Sequence, residues 1–307
     1  MACARPGPSL PELSSAEMTQ GDGNGWVGCD QDHRHWGRHG AAGLLIWAPD
    51  GSGRPLVLLI RRAGWSHHGG TWGPPGGARD SHESPAEAAI REAAEECGAP
   101  PGVVHIHGLL NDDHGGWSYQ TLIGQATEPF TVRPSQEATE TAWIPADDVA
   151  SLALHPGFAA TWPVIRKALA PVTLIVDGAN VMGSRADGWW HDRAGAMMRL
   201  HGELAVLAAD GVARLPGDGD EAALDRWYPQ FVLVVEGKAR TVLDRLPSAE
   251  AVRVVAAPAA GDDTIADLAG RLPGRRFIVT ADRELRRRCV AAGAAVTGPR
   301  WLTALFR

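Results

Sequence analysis

A loop dense in glycine and proline, Gly69–Gly77, runs toward a segment whose start and stop are both written in its residues. Ser84 can cap a helix, Pro85 suits its first position, and Glu87, three residues after Ser84, completes a capping box. Gly98 is a natural stop. The pattern predicts a helix over Pro85–Cys97 with Ala86, Ala89, Ile90, Ala93 and Cys97 turned inward. Glu92, Glu95 and Glu96 then stand at i, i+3 and i+4 on another face, three carboxylates within about one turn. Like charges at these spacings destabilise an isolated helix, and Arg91 offsets part of this through Glu87 and Glu95, each four residues away. A hard divalent cation above that face accounts for the crowding, since Mg²⁺ takes oxygen ligands. The plainer reading of the helix alone is a solvated acidic surface.

Around this helix the text alternates. Gly40–Ala48 and Pro55–Arg61 read as strands joined by a Pro-Asp-Gly-Ser-Gly turn, followed by strands near Val103–Leu110, Ser118–Ala126 and Ala142–Pro145. A helix near Pro156–Leu169 closes this part, and Ala170-Pro171 is a short junction. Residues 1–35 have no period of 2 or 3.6 and read as a mobile tail. Cys29, His33, His35 and His39 lie at its end, but a single cysteine among close histidines lacks the paired spacing usual for zinc, so they read as polar tail or strand entry.

Set against the surrounding residues, the acidic helix gains a wider frame. Gly77 is followed after five residues by Glu83 and after seven more by Arg91-Glu92-Ala93, then Glu95-Glu96 and Gly98-Ala99. This spacing resembles the Nudix box at every defined position, and Gly70–Gly77 resembles the approach loop of that family. The resemblance covers roughly residues 39–168. It implies an α/β/α sandwich with a mixed sheet, and hydrolysis of a nucleoside diphosphate linked to another group. Glu92, Glu95, Glu96 and the Gly77 carbonyl match its metal-binding positions, Arg91 the residue that orients the glutamates, and Glu83 a structural or secondary metal role. The implied cofactor is Mg²⁺ or Mn²⁺, which neutralises pyrophosphate oxygens and positions water. Glu92 is one candidate general base; Glu137 and Glu140, in the loop expected before Trp143, are others. For substrate contacts the candidates are Arg61, Arg62, His67 and His68 toward phosphates and Trp65, Trp72 and Trp117 toward a base, with Asp112, Asp113 and His114 in a loop near the mouth. Packing is the plain alternative for the tryptophans.

Past the junction the grammar changes. Strands at Val172–Val176, Phe231–Val235, Val252–Ala256 and Phe277–Thr280 are short and apolar on both faces, as in a buried parallel sheet. Helices are expected at Arg193–Ala209, Ala239–Leu246, Thr264–Leu272 and Arg283–Ala292. Acids follow the strands: Asp177, Glu236, Asp263 and Asp282. In an open sheet such groups converge at the carboxyl ends of the strands, where a metal-dependent phosphodiester site could form; single acids there more often cap helices. Asp177-Gly178-Ala179-Asn180-Val181, Gly261-Asp262-Asp263 and Thr280-Ala281-Asp282 resemble the NYN division of PIN-like ribonucleases over residues 172–307. That likeness implies metal-site and catalytic roles for Asp177, Asp263 and Asp282, with Glu236 as a fourth metal acid and Asn180 supporting the site or touching substrate. Asp262 competes with Asp263 for one role.

The organisation expected is a tail over 1–35, a Nudix domain over 36–170 and a PIN-like open parallel-sheet domain over 171–307. Its activity would be nucleotide pyrophosphate hydrolysis, with RNA cleavage by the second domain; the alternative is an RNA-processing or RNA-binding protein whose first domain trims or senses nucleotides or 5′ ends. The formal net charge is −7, its acidic excess confined to the first part, which argues against broad phosphate-backbone binding there. Arg271, Arg275, Arg276, Arg283, Arg286, Arg287 and Arg288 make the end of the chain the candidate RNA surface, with a solvated helix face as the plain reading. No apolar run is long enough to span a membrane, no signal-peptide core is present, and four scattered cysteines fit a reducing cytoplasm.

Overall fold

The computed structural model describes residues 21–133, 135, 138–186, 188–218, 224–237 and 252–306. The chain opens on a hairpin of β1 (Trp26–Gly28) and β2 (Arg34–Trp36). Part of the expected tail is therefore ordered. Next come β3 (Ala41–Pro49), β4 (Pro55–Arg62), β5 (Trp72–Gly73), β6 (Gly76–Ala78), helix α1 (Pro85–Cys97), β7 (Val104–Asp113), β8 (Ser118–Ala126), β9 (Ala138–Pro145) and helix α2 (Pro156–Arg166). The glycine-rich loop thus holds two short strands, because β6 pairs with β3 and β5 with β4.

Period-2 alternation decides what the first sheet buries. Ala42, Leu44, Ile46 and Ala48 of β3, with Leu58 and Ile60 of β4, pack on Ala88, Ala89, Ala93 and Cys97 of α1. Leu45, Trp47, Val57 and Leu59 point the other way, onto Phe158, Trp162 and Ile165 of α2. A mixed sheet lies between two helices, its β3–β8 pair parallel and its other pairs antiparallel.

The second unit contains β10 (Val172–Asp177), α3 (Gly178–Gly183), α4 (Arg193–Asp210), β11 (Arg226–Trp227), β12 (Gln230–Val235), β13 (Val252–Ala256), α5 (Gly261–Arg271), β14 (Arg275–Val279), α6 (Arg283–Ala291), β15 (Ala295–Thr297) and α7 (Pro299–Thr303). Its sheet runs β13-β12-β10-β14-β15, all parallel. The order reverses beside β10, and at such a switch point open sheets leave a crevice beyond their carboxyl ends. Leu174 and Val176 pack toward α4, and Ile175 toward α5 and α6. The helix expected at 239–246 lies outside the described residues.

The two sheets are tied together by β11, which pairs with β7 of the first (Trp227 opposite Gly108). Trp227 is fully buried, and one apolar core runs from α2 through β10 and β12 to α4. Among the described residues, no helix is long and apolar enough to cross a membrane.

Candidate active site

Helix α1 is built as its ends require. Ser84 Oγ accepts from Glu87 N and Glu87 answers onto Ser84 N, while Gly98 adopts φ 68°. The inward stripe differs from expectation: Ala88 joins Ala89, Ala93 and Cys97, whereas Ile90 is exposed. At about 100° per residue, Ile90 lies a full step from the stripe's centre. Near that centre sits Glu96, a carboxylate only 5% exposed. A charge is tolerated at a core position when its oxygens are hydrogen-bonded, and Gly76 N donates to Glu96 Oε2 at 2.7 Å.

The glycine strand β6 shapes the rest. A Cβ on Gly77 would lie 2.6 Å from Glu92 Oε1, so the missing side chain makes the seat for that carboxylate. Gly43 and Gly76 leave room in the same way for the Tyr119 hydroxyl. Burial first, then the charges of Glu96 and Glu92, push the Tyr119 pKa above its ordinary value, which keeps the phenol protonated beside them.

Arg91 gathers the acids. Its Nε and Nη2 bond the two oxygens of Glu83 (2.7 and 3.0 Å), Nη1 bonds Glu92 (2.7 Å) and Glu95 (3.3 Å), and Nη2 also reaches Ala78 O. Those bonds to Glu83 hold Arg91 protonated and keep the Glu83 carboxyl below its usual range. A set of glutamate oxygens beside a backbone strand, with no sulfur or imidazole among them, suits a hard divalent cation.

The flanking residues divide. Arg61 Nε donates to Gly70 O and its Nη1 lies 3.9 Å from Glu140, which is half exposed and belongs to β9 instead of the expected loop because it pairs opposite Arg61; Arg62 Nε donates to His67 O. Both line the glycine loop. Trp72 does not offer a stacking face, because it is buried in the core on the α2 side. Glu137 lies outside the described residues. His114 joins a group with Cys29, His33 and His35.

In the second unit, Asp177, Asn180, Glu236, Asp262 and Asp282 line one cleft of about 530 Å³. Asp177 caps α3 through Asn180 N, accepts from Thr280 Oγ1 at 2.8 Å, and Asn180 Oδ1 receives Ala281 N. Glu236 accepts from Gly261 N, and Asp282 caps α6. Burial, then Asp262 and Glu236, raise the Asp177 pKa; burial and Asp282 raise that of Asp262. Asp263 is the exception. It turns outward to Arg288 at 2.7 Å, since consecutive residues in the first turn of α5 point about 100° apart, and Asp262 takes the cleft position. Thr280, expected at the end of a strand and quoted in the Thr280-Ala281-Asp282 motif without a role of its own, lies one step beyond β14 and donates to Asp177.

The arginine-rich end is largely spoken for. Arg271 pairs with Asp267, Arg287 with Glu284, Arg288 with Asp263 and Arg275 with Asp218, while Arg276 and Arg286 donate to backbone carbonyls. Internal pairing leaves less of this charge for a polyanion.

Residues 37–167 match the NUDIX domain family. The chain is 46% identical over 223 residues to "Putative 8-oxo-dGTP diphosphatase 3" of Mycobacterium tuberculosis, spanning 70% of this chain and 94% of that protein. It is 39% identical over 156 residues to a nucleoside triphosphate pyrophosphatase/Nudix hydrolase fusion protein of Bifidobacterium longum, covering 49% of this chain and 32% of that one. A solved Nudix hydrolase from M. smegmatis shares 47% identity over 48% of this chain and 94% of its own, with a TM-score of 0.46. The first relative's match is longer than everything up to Lys167, so it must continue into the second unit. By its matched domain and by the relative it so nearly spans, the chain belongs to the Nudix family.

Proposed function

We propose that this Nudix pyrophosphohydrolase cleaves the pyrophosphate linkage of a nucleoside triphosphate or related nucleoside diphosphate derivative, with oxidised purine nucleoside triphosphates as the first substrates. The observation that carries the reading is the Glu96 carboxylate, buried in the middle of a packing stripe and hydrogen-bonded to Gly76 N. Glu92, Glu95 and Glu96, with the Gly77 carbonyl, would hold Mg²⁺ or Mn²⁺. A divalent cation bound there supplies charge neutralisation for the pyrophosphate oxygens and an activated water. The protein's own part is placement: Arg91 turns Glu92 and Glu95 toward one point, and the side-chain-free β6 lets Glu92 approach the backbone. Arg61 and Arg62, at the end of β4, are the phosphate contacts proposed. Glu92 and Glu140 remain the described candidates for the base. The substrate choice rests on the 46% identity to the mycobacterial protein of that printed name.

Chromatography of products from 8-oxo-dGTP, dGTP, ADP-ribose, nucleotide sugars and dinucleoside polyphosphates tests it. The expected result is a monophosphate and pyrophosphate from 8-oxo-dGTP, with turnover lost in a folded Glu96→Gln protein. Undiminished turnover in that variant would sink the reading.

A second reading concerns the acidic cleft of the other unit, which resembles an NYN/PIN-like nuclease centre; four carboxylates in one crevice favour it. It predicts metal-dependent RNA cutting that survives Glu96→Gln, disappears in Asp177→Asn and Asp262→Asn, and persists in Asp263→Asn. RNA left intact across varied sequences, or cutting lost in Asp263→Asn alone, counts against it.

A further inference from the structure

The hairpin ahead of the Nudix sheet carries metal-ligand chemistry of a different kind. Cys29 follows β1, His33 precedes β2, His35 lies within β2, and His114 comes from the turn between β7 and β8. One ligand atom from each of the four lies within 4.8 Å of all the others. We propose that Cys29, His33, His35 and His114 bind a single zinc ion that fastens the hairpin to the β7–β8 turn, apart from the Nudix carboxylates.

The spacing is already that of a coordination shell. Zinc bonds of about 2.3 Å to sulfur and about 2.0 Å to nitrogen set tetrahedral ligand atoms roughly 3.5 Å apart. Cys29 Sγ and His35 Nε2 are 3.3 Å apart. His114 is prepared in the same sense: its Nε2 lies 3.3 Å from Asp112 Oδ2, and its Nδ1 is buried without a hydrogen-bond partner. Metal-bound histidines commonly anchor the second ring nitrogen on a carboxylate, which leaves the first for the ion. His39, the remaining histidine of the sequence cluster, is instead 3.6 Å from Asp22.

Donor type selects the metal. One thiolate with three imidazoles is a borderline-soft set that suits zinc, whereas the glutamates of α1 suit a hard ion. Four protein ligands close the shell, so the site is structural.

The hairpin also needs a fastening. Two strands of three residues are too little to hold together in water. Beside the four residues the hairpin meets the β7–β8 turn: Asp30 N donates to Gly115 O, Trp117 Nε1 donates to Gly37 O, and the Trp117 ring stacks on His35 at 4.0 Å. Asp32, at φ 59°, bends the chain so that Cys29 N meets His33 O and both side chains share one side of the turn. A metal is a common staple where an element is too small for its own core. From β1, Trp26 packs edge-on against His67, so the fastened hairpin also braces the loop beyond Arg62.

Elemental analysis of the full-length protein, produced in zinc-supplemented medium and dialysed, tests the proposal. The expected content is one zinc per chain, retained in Glu96→Gln and lost in Cys29→Ser and in His114→Asn. The cobalt-loaded wild-type protein should show a thiolate-to-cobalt charge-transfer band, which decides the matter even if the variants fail to fold. A folded wild-type protein without zinc, with another metal in its place, or without that band overturns the proposal. So does zinc that stays in both variants.

Discussion

Arg91 serves four acidic or carbonyl partners from one guanidinium, and Glu83 depends on it most. Folded Glu83 releases its proton at lower pH than the unfolded chain does. Its stabilising contribution is therefore complete above the ordinary carboxylate pKa and is lost as pH falls through the folded value. Arg91→Met should destabilise the protein by about 2 kcal/mol at neutral pH, the order expected when a buried acceptor loses its charged partner. The gap between variant and wild type should narrow below about pH 4. Urea titrations at both pH values measure it, and a gap independent of pH would contradict the assignment. At this scale the residue types were legible and their directions were not. Glu96, Asp262 and Asp263 are all acids beside helix turns, but only packing decides that Glu96 and Asp262 face their sites and that Asp263 meets Arg288.

Helix α1 was legible to its last residue because its cap, first proline and final glycine are local features. The longer strands were legible for a similar reason, as apolar runs set off by turn residues. Strand β11 carries no such signal: two residues have no period, and Arg226–Trp227 is a strand only because the β7 edge accepts it. Trp227 fills the seam, with the Arg275 guanidinium over its ring at 5.3 Å. Trp227→Ala should cost about 3–5 kcal/mol, as for other buried aromatics truncated to alanine. The Nudix glutamates lie on the far side of the sheet from this seam, so turnover per folded molecule should persist. Chemical denaturation paired with turnover checks both halves; a loss below 1 kcal/mol would remove β11 as a fastening element.

The two sheets share a core, and this sets how the whole molecule unfolds. Phe158, Trp162 and Ile165 of α2 belong to the same apolar cluster as Leu174, Phe231 and Leu204 of the second unit. Neither unit can open without exposing that surface, so calorimetry should record one cooperative transition for the full chain. Two well-separated transitions would mean that the seam contributes little.

Order along the chain accounts for what could be read from it: a helix with its caps, apolar strand runs set off by turn residues, and the glycine–glutamate spacing of a Nudix box, all contained in single continuous segments. Tertiary structure alone joined β11 to β7, buried Trp72, ordered the hairpin at Trp26–Trp36 and brought His114 to Cys29, His33 and His35. Those outcomes depend on which surfaces meet after the chain has folded back on itself. Nothing in the local order of residues encodes that meeting, because its energy comes from water excluded between segments far apart in sequence.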